Sequence, residues 1–468
     1  MNTFSNAVIN QSARTENGMK ARKLTGSACV DLFYKIGASR GKSITASFLA
    51  AVAENGDSAL RIALWARDVR EGAGERQLFR NILGVIEEIA PEALTRDFLK
   101  KVVELGRWDD LLVFKTKKVK ELAFALIYFA LRDGDGLCAK WMPRKGAMAV
   151  ELRKIFEWSP KRYRKTLVSL TNVVETQMCS KQWDSIAFEA VPSLAAARYR
   201  TAFHRNTSTF ETYVDKAVAG EAKVNAGAVY PHDVLKGILS RVWGKSPSPV
   251  QNKHALAQWA ALPNYMGDAK VLPMVDVSGS MSTPVGKSTT ALEVAISLGL
   301  YMCEKNTGAF KDLVLTFSEN PQLLNLQGNV LAKAGQLEKA DWGMNTNIMR
   351  AFQKVLQVAV ESRVSPEDMP DTLVILSDMQ FDRCTQFDDS AHELARRNYR
   401  ACGYKMPKIV FWNLDAHSNT PVKFNTSGVA LVSGFSPSIM KSVLGGNLES
   451  FTPEAVMLET IMVPRYSI

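Results

Sequence analysis

The run Val271-Leu272-Pro273-Met274-Val275 ends in Asp276 and passes directly into Val277-Ser278-Gly279-Ser280. Five apolar residues with β-branched ends, followed by a turn-rich stretch, read as a short buried strand. Thr372-Leu373-Val374-Ile375-Leu376 runs into Ser377-Asp378 in the same way. Both runs read as short buried strands that end at a carboxylate. In open α/β sheets, ligands collect outside the carboxyl ends of the strands, where the strand order reverses. If the two strands are parallel neighbours, Asp276 and Asp378 both arrive there.

Asp276, Ser278 and Ser280 are spaced two apart, so an extended or turning backbone can aim all three at one point. Their oxygens are hard donors, suited to Mg²⁺, Ca²⁺ or Mn²⁺ rather than to a thiolate-seeking metal. A third segment, Trp342-Gly343-Met344-Asn345-Thr346-Asn347, precedes the helical pattern Ile348, Ala351, Phe352, Val355, Leu356 and Ala359. Thr346 either caps that helix or offers its hydroxyl to a cation. The rival reading is three unrelated caps on a metal-free Rossmann-like domain, since Ser and Asp also crowd into ordinary turns.

In this order the three segments resemble the metal-ion-dependent adhesion site of von Willebrand factor A domains, over residues 265–468. The resemblance implies an α/β Rossmann-like domain in which Asp276, Ser278, Ser280, Thr346 and Asp378 hold a divalent cation, Mg²⁺ first, with Ca²⁺ and Mn²⁺ as alternatives. Many such domains carry Gly after the third-loop aspartate, where this chain has Met379. A divalent ion against Asp276 and Asp378 is formally neutral, so an open coordination position still attracts a carboxylate or phosphate. The resemblance points the same way, to an acidic group on a protein partner. No nucleophile–base pair accompanies the segments, which argues against an enzyme.

At 468 residues the chain exceeds one hydrophobic core, and two or three domains are expected. It has no apolar run long enough to span a bilayer and no charged-then-apolar leader. Its six cysteines show no C-x-x-C pairing, as in a reduced cytoplasmic protein. The net charge of +11 is uneven: residues 1–260 hold 40 Lys and Arg against 26 Asp and Glu, whereas residues 261–468 hold 18 against 21. A basic module joined to a mildly acidic one suits a nucleic-acid binder with a separate partner domain.

Residues 1–262 read as helices, with strand-like alternation scarce. Helical patterns cover 43–52, 59–66, 75–86, 95–105, 117–131, 148–157, 161–178 and 183–190. Their rhythm suggests α-hairpins of about 40 residues stacked as a HEAT-like ring or solenoid. Arg67-Asp68-Val69-Arg70-Glu71-Gly72-Ala73-Gly74-Glu75-Arg76 reads as a charged hinge with a left-handed Gly cap. Gly106-Arg107-Trp108-Asp109-Asp110 reads as a helix cap beside an aromatic plug. Gly286-Lys287-Ser288 lacks the earlier glycine of a phosphate loop.

Basic clusters mark the nucleic-acid candidates. Lys140, Arg144 and Lys145 surround Trp141 and a proline turn; Lys161, Arg162, Arg164 and Lys165 place four cations in five residues; Arg200 and Arg205 are interleaved with Tyr199 and Phe203. Cations among aromatics can hold phosphates and stack unpaired bases. The competing reading puts the aromatics in the core and the cations on a merely solvated face. A helical region followed by a von Willebrand A-like domain resembles the Ro autoantigen and its TROVE-module relatives. The motifs Arg67-Asp68 through Gly74-Glu75-Arg76, Gly106 to Asp110, Lys140-Trp141-Met142-Pro143-Arg144 and Val275 to Met281 resemble more closely a less characterised sister group with the same layout. In Ro-type proteins a ring of helices binds small structured RNAs and single-stranded ends. The resemblance therefore implies a monomeric, ring-shaped, RNA-binding ribonucleoprotein component. The rivals are a non-RNA scaffold that grips an acidic partner and a metal-dependent nuclease, for which Asp382 and His392 would be the nearby candidate bases.

Overall fold

The computed structural model describes residues 13–15, 19–236, 248–286, 289–317, 320–340, 347–381, 391–415, 420–445 and 451–468. A helical region comes first and a mixed α/β sheet domain follows. Two short antiparallel strands, β1 (Ala13–Arg14) and β2 (Lys20–Ala21), open the chain. The helices Ala28–Ile36, Thr45–Glu54, Gly56–Arg67, Arg76–Ile89, Arg96–Leu105, Lys117–Arg132, Gly136–Trp141 and Ala147–Ile155 then succeed one another. The expected helix over 161–178 is two helices, Pro160–Leu170 and Val174–Cys179, because Thr171 and Val173 take extended backbone between them. The expected helix over 183–190 is instead two single 3-10 turns, Trp183–Ser185 and Phe188–Ala190. Among the described residues no helix is long and apolar enough to cross a membrane.

The sheet contains β3 (Val271–Asp276), β4 (Leu313–Phe317), β5 (Leu323–Asn325), β6 (Thr372–Ser377), β7 (Lys408–Asn413) and β8 (Val429–Ser433). Their order is β5-β4-β3-β6-β7-β8, all neighbours parallel except β4 with β5. The chain leaves β3 towards β4 on one side and returns to β6 on the other. That is the switch point at which doubly wound sheets open a crevice. Every residue of β3 and β6 is buried, as the continuous apolar runs require. The helix Ala291–Lys305 covers the sheet so closely that a Cβ on Gly299 would lie 2.3 Å from Val275.

Both ends of the helical region are fastened to the sheet domain. The helix Ala28–Ile36 buries Val30, Leu32, Phe33, Tyr34 and Ile36 completely. It crosses β8 where Ser433 Oγ donates to the Phe33 carbonyl and accepts from the Gly37 N–H. Gly37 allows that approach, since a Cβ there would sit 2.8 Å from the Ser433 carbonyl oxygen. At the other end, the helix Pro249–Ala260 meets Ala291–Lys305 through a 2.5 Å bond from Trp259 Nε1 to Glu304. Between them, Tyr230 donates to the Ala73 carbonyl at 3.1 Å, linking the segment before Pro231–Leu235 to the turn after Gly56–Arg67. Gly74 takes φ +71°, as expected of the hinge, and a side chain there would collide with Tyr230. Asp68, fully buried in the same hinge, accepts from Arg465 and Tyr466 and so pins the C-terminal residues to the helices. A single apolar core accordingly runs from Met19 through the first helices and the sheet to Tyr466, while Val174, Ile186, Phe188, Val191, Ala196, Phe203, Phe210 and Val214 form a smaller second core.

Candidate functional site

At the carboxyl ends of β3 and β6 the two carboxylates are held by their own turns. Asp276 Oδ1 accepts from the Ser278 N–H at 3.0 Å, and its Oδ2 accepts from Ser377 Oγ at 2.6 Å. Ser377 Oγ in turn accepts from the Met379 N–H, and Asp378 Oδ1 accepts from the Gln380 N–H at 3.1 Å. Ser278 Oγ and Ser280 Oγ are 3.0 Å apart. Asp276, Ser278 and Asp378 are buried, whereas Ser280 is exposed, so the oxygen cluster opens to solvent on the Ser280 side. Met379 adopts φ +66° and is buried. The turn after Asp378 thus uses the left-handed backbone that favours glycine, at a cost of about 1 kcal/mol in a residue with a side chain.

Burial, and then the negative charge of Asp378, push the Asp276 carboxyl up to about 7, against the hydrogen bonds from Ser377 and Ser278. Among the described residues no Lys or Arg pairs with Asp276. Two neighbouring buried carboxylates repel one another unless a proton or a cation stands between them. The donors are carboxylates and hydroxyls, and among the described residues no three His, Cys, Asp or Glu converge. This donor set fits a hard divalent ion. Thr346 lies outside the described residues; the cap of the helix Ile348–Glu361 is Asn347, whose side chain accepts from the Arg350 N–H. Asp382 also lies outside them, and His392 is buried.

The basic clusters divide differently. Lys145, Lys161, Arg162, Arg164, Lys165 and Arg205 are exposed, and none has an acidic partner among the described residues. Tyr163 donates to the Pro143 carbonyl and Arg144 Nη2 to Thr171 Oγ1 at 3.1 Å, which joins the Lys140–Lys145 segment to the helix Pro160–Leu170. Lys140 is half-buried and lies 3.5 Å from Glu175, so part of its charge is spent within the protein. Arg205 stands apart, on the helix Ser193–Asn206 over the second core. Arg200 corrects the sequence reading. It is buried and donates to the carbonyls of Ala197 and Val234, tying its helix to Pro231–Leu235. Burial lowers its guanidinium to about 10. It is a structural cation and does not share the exposed face. Tyr163 and Phe203 are likewise core, and the Trp141 ring is covered by Arg107 at 3.6 Å. One groove escaped the sequence reading, where Arg153, Lys154, Glu157 and Trp158 meet beside the Lys161–Lys165 cluster.

Residues 15–113 and 137–269 match a family model described as Domain of unknown function (DUF2828), and residues 270–460 match Domain of unknown function (DUF7788). The chain is similar to the uncharacterized protein L728 of Acanthamoeba polyphaga mimivirus, 29% identical over 512 residues that span 96% of this chain and 86% of that protein. In fold it is similar to the crystal structure of the Deinococcus radiodurans RO (RSR) protein, with a TM-score of 0.50 and 16% identity, covering 93% of this chain and 100% of that one. The likeness is one of architecture: a helical region followed by a mixed α/β sheet domain.

Proposed function

We propose, from this Ro-like architecture, that the protein binds RNA through the basic face of its helical region. Its α/β domain, read as von Willebrand factor A-like, would hold a divalent cation for an acidic partner group. The observation that carries the RNA reading is the opening of the helix Pro160–Leu170. Lys161, Arg162, Arg164 and Lys165 crowd its first turns, no acidic residue occupies the first turn, and all four are exposed without an acidic partner among the described residues. Cations at a helix N-terminus oppose the helix dipole and repel each other, a cost that a bound polyanion offsets. The resemblance to Ro-type proteins supports a small structured RNA with a single-stranded end, held by a closed arc of helices. The Tyr230–Ala73 hydrogen bond, between late and early parts of the helical region, supports such an arc. The reading is non-enzymatic. The full chain should bind such an RNA saturably in Mg²⁺ and return it uncut, as followed by anisotropy and denaturing gels. Absence of binding at low salt would overturn the RNA reading, and cleavage lost in Asp378→Ala would overturn the non-enzymatic one.

In the cation reading Asp276, Ser278, Ser280, Thr346 and Asp378 are the holders, and the ion would supply charge compensation and an open position for a carboxylate. The support is the buried Asp276–Asp378 repulsion. At a hundred times its dissociation constant, Mg²⁺ is expected to stabilise the protein by about 2.7 kcal/mol. Asp276→Ala should abolish that gain while leaving RNA affinity unchanged. In chelator, Asp276→Asn should melt no lower than wild type, because the repulsion is relieved and the Ser278 N–H keeps an acceptor. Thermal melts with Mg²⁺, Ca²⁺, Mn²⁺ or chelator decide; an equal rise in wild type and Asp276→Ala would contradict the site.

A further inference from the structure

The helix Ala147–Ile155 ends in an unusual turn. The Glu157 N–H donates to the Lys154 carbonyl and the Trp158 N–H to the Arg153 carbonyl at 2.9 Å, while Glu157 takes φ +54°. This is a Schellman-type stop, with an acidic residue in the place usually given to glycine. It folds Trp158 back beside Arg153 and leaves a groove of about 330 Å³ lined by Val150, Arg153, Lys154, Glu157 and Trp158. That volume lies at the small end of ligand sites, about 300–1,000 Å³, and suits one nucleotide rather than a folded segment.

The chemistry of the lining is mixed in a specific way. Lys154 and Glu157 are exposed, and neither has a charged partner among the described residues. Among the described residues, Arg153 donates to the Ala149 carbonyl and has no acidic partner. Trp158 is wedged among Tyr128, Phe156 and Tyr163, with the Arg162 guanidinium 4.7 Å from its ring centre. Its indole N–H makes no hydrogen bond among the described residues and is not sealed from solvent. Cations therefore wait for a phosphate, an aromatic edge and Val150 for a base, and a carboxylate for N–H donors. An acidic peptide would satisfy the cations but leave Glu157 opposed. A nucleotide satisfies both, and guanine does so best because its two adjacent N–H groups can meet one carboxylate side by side.

We infer that this groove seats one unpaired nucleotide of a bound RNA, preferentially guanosine, with its phosphate against Arg153 and Lys154 and its base against Trp158 and Glu157. The inference rests on the RNA reading above and assigns that reading a subsite. The test uses the full chain with two single-stranded RNA octamers, oligo(U) and oligo(U) carrying one central G, at several salt concentrations. Wild type should prefer the G-containing strand about tenfold, the scale of one bidentate base contact. Glu157→Gln should erase the preference and leave the salt slope unchanged. Lys154→Ala should flatten the slope by about 0.7, one phosphate on a single strand, for both octamers. Both residues are exposed, so neither change threatens folding. Trp158→Phe, which keeps a ring and removes the N–H, should weaken the G strand selectively. Tight binding of both octamers with preference and slope untouched by all three variants would overturn the groove and spare the RNA reading. Failure of wild type to bind either octamer while it binds a structured RNA with a single-stranded end would overturn the groove alone, and failure to bind all three would overturn both. Displacement of the G strand by poly-glutamate, abolished by Lys154→Ala, would overturn the nucleotide in favour of an acidic peptide.

Discussion

Replacing Asp110 with alanine is expected to destabilise the helical region by about 3–5 kcal/mol, the cost of leaving a buried charge without its partner. Asp110 is fully buried. Its Oδ2 accepts from Arg67 Nε at 2.7 Å and from the Arg107 N–H at 3.0 Å, and its Oδ1 accepts from Arg80 Nε at 2.7 Å. One carboxylate thereby joins the helices Gly56–Arg67 and Arg76–Ile89 to the turn Trp108–Val113. Arg67 is buried with it, so truncating Asp110 strands a guanidinium in the core. Gly106→Ala offers an independent approach, because a Cβ there would lie 2.6 Å from Asp110 Oδ2 and 2.7 Å from Arg67 Nε. Urea unfolding of both variants should show an early loss of helix. A change under about 1 kcal/mol in Asp110→Ala, the scale of an exposed pair, would contradict the network.

The strand ends were legible because a parallel strand buried on both faces leaves an uninterrupted apolar run; β3 and β6 begin with those runs and end one residue beyond them, at Asp276 and Ser377. The Arg67–Gly74 hinge and the Gly106–Asp110 cap were legible through glycines with a geometric duty. Ala28–Ile36 was not; seven of its nine residues are buried, the charged Asp31 among them. Arg200 was misassigned for a related reason. Its charge reads as surface, yet its helical position faces the Pro231–Leu235 segment, where free carbonyls receive it. The groove at Trp158 left no trace in the sequence, because a left-handed Glu157 has no compositional signature. Thr346 and the loop before it fall outside the described residues, so the third segment of the oxygen cluster rests on the sequence resemblance alone.

The second large effect concerns the basic helix opening. Changing Lys161, Arg162, Arg164 and Lys165 together to alanine removes four exposed cations and leaves Tyr163 and Leu167, the buried stripe of that helix, in place. Each phosphate neutralised on a single strand contributes about 0.7 to the slope of log affinity against log salt. Four such contacts therefore set an upper change of about 3, with affinity at low salt falling by two or more orders of magnitude. Arg144 and Lys145, joined to this helix through Tyr163 and Thr171, should give smaller changes in the same direction. Arg200→Lys should instead lower stability and leave the slope alone, because that guanidinium is spent on backbone carbonyls.

The affinity of the full chain for an RNA with a single-stranded 3′ end, measured at several salt concentrations for wild type and the quadruple alanine variant, tests the RNA reading most directly. A steep wild-type slope that flattens by about 2–3 in the variant is the expected result. Parallel slopes, with equal affinities across the salt range, would show the cluster to be a solvated helix face and would contradict the proposed RNA track.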